Sequence, residues 1–203
     1  MPDSTQRRYD RRFLAKIISG LGSPMILAFP AFIVLLVATN PPSLLLLLLV
    51  AFLFGSAFPM LVIYLMYKIG KIGDLDVTDR SQRKVPFILS ILVYALGTII
   101  MFALNAPEIV SALMFGYTTN TLVLFLISLH WKISVHAVGV SGPFTCLIYF
   151  LGWLYSPLLL LIIPIGWSRI ELKAHTLAQV VAGFLLSIAL TWVQLVLLFQ
   201  FFL

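Results

Sequence analysis

Three short polar stretches interrupt a chain that is otherwise leucine, isoleucine, valine and phenylalanine. Residues 168–179 carry Ser168, Arg169, Glu171, Lys173, His175 and Gln179. Residues 130–136 carry His130, Lys132, Ser134 and His136 beside Trp131. Residues 68–86 carry Arg80, Arg83 and Lys84 among Asp74, Asp76 and Asp79. Guanidinium forks present planar paired donors to phosphate oxygens, and imidazoles, which titrate near neutrality, can divide nucleophilic from acid–base work. Two separate stretches that each pair a cation with a histidine therefore point to the handling of a phosphate. Each stretch alone also has a plain reading. Residues 68–86 are a solvated loop, and 130–136 are a polar turn anchored at a membrane interface by Trp131. Ser168 and Glu171 have capping-box spacing, which predicts a helix starting at Ser168. His175 and Gln179, four apart, are expected on one face of it, pointing inward. His130 reads as an interfacial group.

The elements that must position these residues follow from composition. The chain has 203 residues, 62% hydrophobic and 10% charged, with a mean hydropathy of +1.11; a soluble domain carries about 25% charged residues. Apolar runs cover roughly 13–38, 43–66, 87–105, 109–129, 137–155, 157–167 and 176–203. The reading is an all-α, polytopic transmembrane bundle of six to seven spans in one integral-membrane domain, 1–203, with a basic N-terminal segment at 1–12. The first run is long and lacks a small-residue cleavage site, so it is expected to stay as an uncleaved helix. The runs 137–155 and 157–167 are too long for one span, and Tyr155-Ser156-Pro157 is the expected hairpin turn. With seven spans, the N-terminus and all three polar stretches share one side. That side holds all 13 Lys and Arg and six of the seven acids, a net charge of +7, with only Glu108 opposite. The positive-inside rule places that face, and the N-terminus, in the cytoplasm. The net charge of +6 thus reports orientation and not nucleic-acid binding. One cysteine, Cys146, leaves no internal disulfide or cysteine metal cluster.

The order and spacing of the polar residues resemble the type 2 phosphatidic-acid phosphatase (lipid phosphate phosphatase) superfamily, in a divergent form. That family carries K-x-x-x-x-x-x-R-P, P-S-G-H and S-R-x-x-x-x-x-H-x-x-x-D. Here the third signature reads Ser168-Arg169, His175 and Gln179, and the second reads Ile133-Ser134-Val135-His136. Arg80, Arg83 and Lys84 ahead of Pro86 stand where the first would be. The chain departs from the family at Gln179 in place of aspartate, at Val135 in place of glycine, and in lacking the first signature's lysine and its Arg-Pro pair.

The resemblance implies a phosphoric-monoester or diphosphate hydrolase acting on lipids. His175 would be the nucleophile, His136 the general acid and base, and Gln179 the residue orienting His175. Ser168, Arg169, Ser134, Lys132, Arg80, Arg83 and Lys84 would hold the phosphate. The substrate would be a lipid phosphate or prenyl diphosphate, with no cofactor or metal. Two alternatives stand beside this: a non-catalytic membrane protein that binds lipid phosphates, which the lost aspartate favours, and a polyprenyl transferase that would use Asp74, Asp76 and Asp79 as a magnesium–diphosphate site.

Overall fold

In membrane, backbone polar groups must be satisfied within the chain, and helices do this locally. The computed structural model describes residues 4–201, with side chains from 9 to 200, and every regular element in it is helical. Helix α1 (Ser4–Leu21) is followed by α2 (Pro24–Thr39). Helix α3 (Leu44–Phe52) passes through a π-helical turn at Leu53–Ala57 into α4 (Phe58–Lys68). After a polar loop come α5 (Lys84–Ala103), α6 (Glu108–Ser128) and α7 (Val135–Leu151). A 3-10 stretch, Trp153–Leu161, leads into α8 (Ile162–Glu171), and α9 (Leu177–Phe201) ends the bundle.

Five helices are long and apolar enough to cross a membrane, or six when α1 and α2, bent 45° at their junction, count as one. The expected seventh is α7. Its 17 residues reach about 25 Å against a hydrocarbon core of about 30 Å. From His136 to Ile148 nearly every residue of α7 is buried, so protein rather than lipid surrounds it.

Expected breaks at Asn40 and Asn105 appear as left-handed helix ends, with φ of 42° and 51°, a conformation asparagine tolerates. Two expectations are corrected. The chain turns at Gly152, where φ is +96°, and not at Tyr155-Ser156-Pro157, which lies inside the 3-10 stretch. The first apolar run is also not continuous: Gly22-Ser23-Pro24 divides it, and Pro24 at the first turn of α2 has no N–H to continue α1.

α5 packs along α6, α7 lies against α2 and α9, and α1 against α8. Phe32, Leu35, Leu36, Leu47, Met101, Met114 and Leu147 fill the core. Two glycines permit the closest approaches. A Cβ on Gly139 would meet Pro24 at 2.6 Å, and one on Gly183 would meet the Ser134 carbonyl at 2.8 Å. The second contact brings the start of α7 onto α9, and with it His136 toward the segment that carries His175.

Candidate functional site

The loops after α4, α6 and α8 all lie at one end of the bundle, where α5, α7 and α9 begin. Three helix N-termini thus turn their positive ends toward the polar stretches.

Arg83 joins the three. Its side chain is buried; Nε donates to the Val77 carbonyl at 2.8 Å and Nη1 to the Ile133 carbonyl at 3.0 Å. Nη2 lies 3.5 Å from His175 Nε2. One guanidinium therefore touches residues from 68–86, 130–136 and 168–179. Burial, reinforced by the positive charge of Arg169, brings the Arg83 pKa down to about 10. Arg80 spends Nη1 on the Leu129 carbonyl at 3.1 Å and is exposed, as is Lys84. Of the three basic residues expected from the first signature, Arg83 alone enters the cluster. Lys132 is half-buried, and burial together with Arg83 and Arg169 lowers its pKa.

His175 is buried just ahead of α9. Its Nδ1 is 3.0 Å from Gln179 Oε1, the same oxygen that accepts the Thr176 N–H at 3.2 Å, while Thr176 Oγ1 accepts the Gln179 N–H at 3.4 Å. This is a capping box on Thr176 and Gln179. It corrects the box expected at Ser168 and Glu171. Ser168 sits inside α8 and bonds the Ile165 carbonyl at 2.7 Å, and Glu171 pairs with Arg11 at 3.3 Å. His175 and Gln179 also do not share a helix face; Gln179 reaches back from the first turn of α9. Because Oε1 already takes an N–H, Nδ1 is the protonated ring nitrogen, and the Nε2 lone pair points toward Arg83.

Burial, with Arg83 next, lowers the His175 pKa to about 3. The unfolded chain binds a proton near pH 6.5 that the folded protein refuses. Stability present above pH 6.5 is accordingly lost as pH falls toward 3. Thermal melts at pH 7 and pH 5 are expected to show a larger drop for the wild type than for His175→Asn.

His136 is the second residue of α7 and buried. Ser134 caps that helix, its Oγ accepting the Ala137 N–H at 3.3 Å. Opposite stands Arg169, 1% exposed. Arg169 Nη1 donates to Asp76 Oδ2 and Ser19 Oγ. Among the described residues its Nε and Nη2 have no hydrogen-bond partner, and neither has His136 Nε2. The other Asp76 oxygen lies 3.7 Å from His136 Nε2. Burial raises the Asp76 pKa, but Arg169 and His136, with hydrogen bonds from Arg169 and Ser19, outweigh it and hold the carboxyl below its usual range.

The three loop aspartates act separately. Asp74 accepts the Thr78 N–H and hydroxyl at 3.1 Å, and Asp79 accepts the Ser81 N–H at 2.9 Å. No group of three His, Cys, Asp or Glu suited to a metal occurs among the described residues. Sequence reasoning placed Asp76 in a loop cluster and passed over Ser19 within an apolar run; the nearby breaker Gly22-Ser23-Pro24 was the available signal.

A cleft of ≈ 1110 Å³, its open mouth included, runs inward from Asp76, Arg83 and His136 to Tyr94, Asn120 and Leu195. His130 is exposed and takes no part. No protein-family model, curated protein or solved structure matches the chain.

Proposed function

We propose that the protein is a multi-pass membrane phosphatase, related to the lipid phosphate phosphatases, which hydrolyses a lipid phosphate or prenyl diphosphate with its site and N-terminus in the cytoplasm. The observation that carries the reading is the fully buried Arg169, whose Nε and Nη2 have no hydrogen-bond partner among the described residues, near a His136 Nε2 that makes no hydrogen bond and has only Asp76 Oδ1 at 3.7 Å. Buried donors are rarely left unsatisfied, and Nε with Nη2 form the edge of guanidinium that takes two oxygens of one anion. The mostly apolar cleft, lined at its polar end by Asp76, Arg83 and His136, supports a lipid tail.

In the reaction, the His175 Nε2 lone pair forms a bond to phosphorus while the bond to the lipid oxygen breaks. His136, as imidazolium, gives its proton to that oxygen. Water then attacks phosphorus, the N–P bond breaks and its electron pair returns to His175, and His136 takes the water proton. Arg169 and Arg83 hold charge on the equatorial oxygens. Seven crossings, with α7 as a short interior one, keep the three polar stretches on the cytoplasmic side.

Purified protein is expected to release phosphate from at least one of phosphatidate, phosphatidylglycerophosphate and a prenyl diphosphate, and chelator should leave the rate unchanged. Binding of these lipids with no release would favour a non-catalytic lipid-phosphate binder. The neutral Gln179 beside His175 is the observation on that side. A rate dependent on added magnesium would point instead to aspartate-based diphosphate chemistry.

A further inference from the structure

Asp76 is an acid in a site expected to bind an anion. Its contacts show how both can coexist. The carboxylate meets Arg169 at Nη1, together with Ser19 Oγ, which itself donates to Asp76 Oδ2 at 3.3 Å. The opposite edge of the same guanidinium, Nε and Nη2, is buried and has no hydrogen-bond partner among the described residues. The guanidinium is a rigid planar fork, so holding Nη1 on two acceptors sets the direction of its unpartnered edge. The second carboxylate oxygen faces His136 Nε2 at 3.7 Å.

The loop is built to deliver this carboxylate. Val77, the next residue, has φ of 46°, a left-handed conformation that is strained for a β-branched residue. Three contacts hold it there: Arg83 Nε on its carbonyl at 2.8 Å, its own N–H on the Asp74 carbonyl at 3.1 Å, and burial of its side chain with Ile63, Met66 and Ile72. The strain is localised at the residue next to Asp76, whose partly exposed carboxylate reaches Arg169.

Resting on the phosphatase reading, we propose that Asp76 is a positioning residue for two groups at once: with Ser19 it anchors Arg169 so that the Nε/Nη2 edge meets the phosphate, and it stabilises the proton-carrying form of His136. The negative charge that Gln179 does not supply to the site enters from the opposite side, on the other histidine. Among the described residues the charged groups acting on His136 are Arg169 from α8, Asp76 from the loop, and Arg83 just before α5; of the other elements packed on α7, α2, α9 and the 3-10 stretch carry no charged side chain, Glu108 begins α6 at the opposite end of the bundle, and Glu171 of α8 is paired with Arg11. His175 lies beyond Arg83. Asp76 is thus the anion available to balance an imidazolium at His136.

The test compares pH–rate profiles of wild type, Asp76→Asn, Asp76→Glu and Ser19→Ala in phosphate release from phosphatidate. Removing the charge disfavours the proton on His136. Asp76→Asn should therefore move the alkaline limb of kcat/KM downward by at least about one pH unit, the lower end of the effect of a neighbouring opposite charge, with kcat near pH 7.5 falling about tenfold. Asp76→Glu should recover most of the limb. Ser19→Ala, which removes one hydroxyl from Arg169 Nη1 and from Asp76 Oδ2 but keeps the carboxylate charge facing His136, should raise KM severalfold and leave the limb in place. An unshifted limb in Asp76→Asn, with wild type active, overturns this inference and spares the phosphatase reading. Faster turnover or tighter inhibition by orthovanadate in Asp76→Asn also overturns it, because the carboxylate would then be blocking the phosphate seat. If Asp76→Asn does not fold, Asp76→Glu and Ser19→Ala decide: a limb displaced in Ser19→Ala, or KM unchanged there, is contrary. Wild-type protein that releases no phosphate from any lipid of the panel takes both proposals down.

Discussion

Replacing His175 with alanine is expected to lower phosphate release by about four orders of magnitude or more, the scale on which enzymes lose rate when a covalent nucleophile is removed. The same change should abolish a base-stable, acid-labile phosphoryl label on the chain, which the wild type carries when quenched during turnover. The fold should survive. His175 makes one firm hydrogen bond, to Gln179, and a long approach to Arg83, while the Thr176–Gln179 cap that starts α9 is independent of the ring. The geometry also sets the expected pace of the wild type. Phosphorylation at Nε2 leaves positive charge on a ring whose Nδ1–H is held by an uncharged amide, and Arg83 adds a like charge nearby. Both raise the energy of the phosphohistidine. This speeds its hydrolysis and slows its formation, so the first step should limit turnover. Normal turnover in His175→Ala would end the assignment.

How far the sequence reached depends on which kind of contact carried the information. Apolar runs and Asn/Pro breaks are local signals, and they located α5, α6 and α9 closely. They did less well at 137–175, where every turn signal competed with another. Gly152 ends α7 through its backbone alone, whereas Ser156-Pro157, a stronger pair on paper, fits inside a 3-10 stretch. Thr176 and Gln179 captured the cap because α8 extends to Glu171, carrying Ser168 into its last turns, where a serine cannot act as an N-cap. At the site, the spacing of Arg169, His136 and His175 could be read in one dimension. Their grouping around Arg83 and Asp76 could not, since it depends on contacts between residues such as Asp76 and Arg169, 93 positions apart. Ser19 shows the limit most clearly: the breaker at Gly22-Ser23-Pro24 marks a helix end near it, but nothing local ties its hydroxyl to Arg169, 150 positions away.

Arg169→Lys is the sharpest test of where the phosphate sits. Lysine keeps a positive charge for Asp76 and Ser19 but has one nitrogen, so it cannot grip an anchor on one side and offer two parallel donors on the other. The loss of preorganised donors aimed at phosphoryl oxygens is expected to reduce kcat/KM by about 100- to 1,000-fold, most of it in kcat, because charge on those oxygens is arranged differently in the transition state than in the bound lipid. Thermal stability should change little, since the charge beside Asp76 is retained, and this separates the test from Arg169→Leu, which would strip the carboxylate of its partner. Steady-state kinetics on phosphatidate, with melting curves on the same preparations, provide the measurement. Should the lysine variant turn over like the wild type, the unpartnered edge of Arg169 would not be the phosphate seat, and Arg83, beside His175, would be the cation left to hold it.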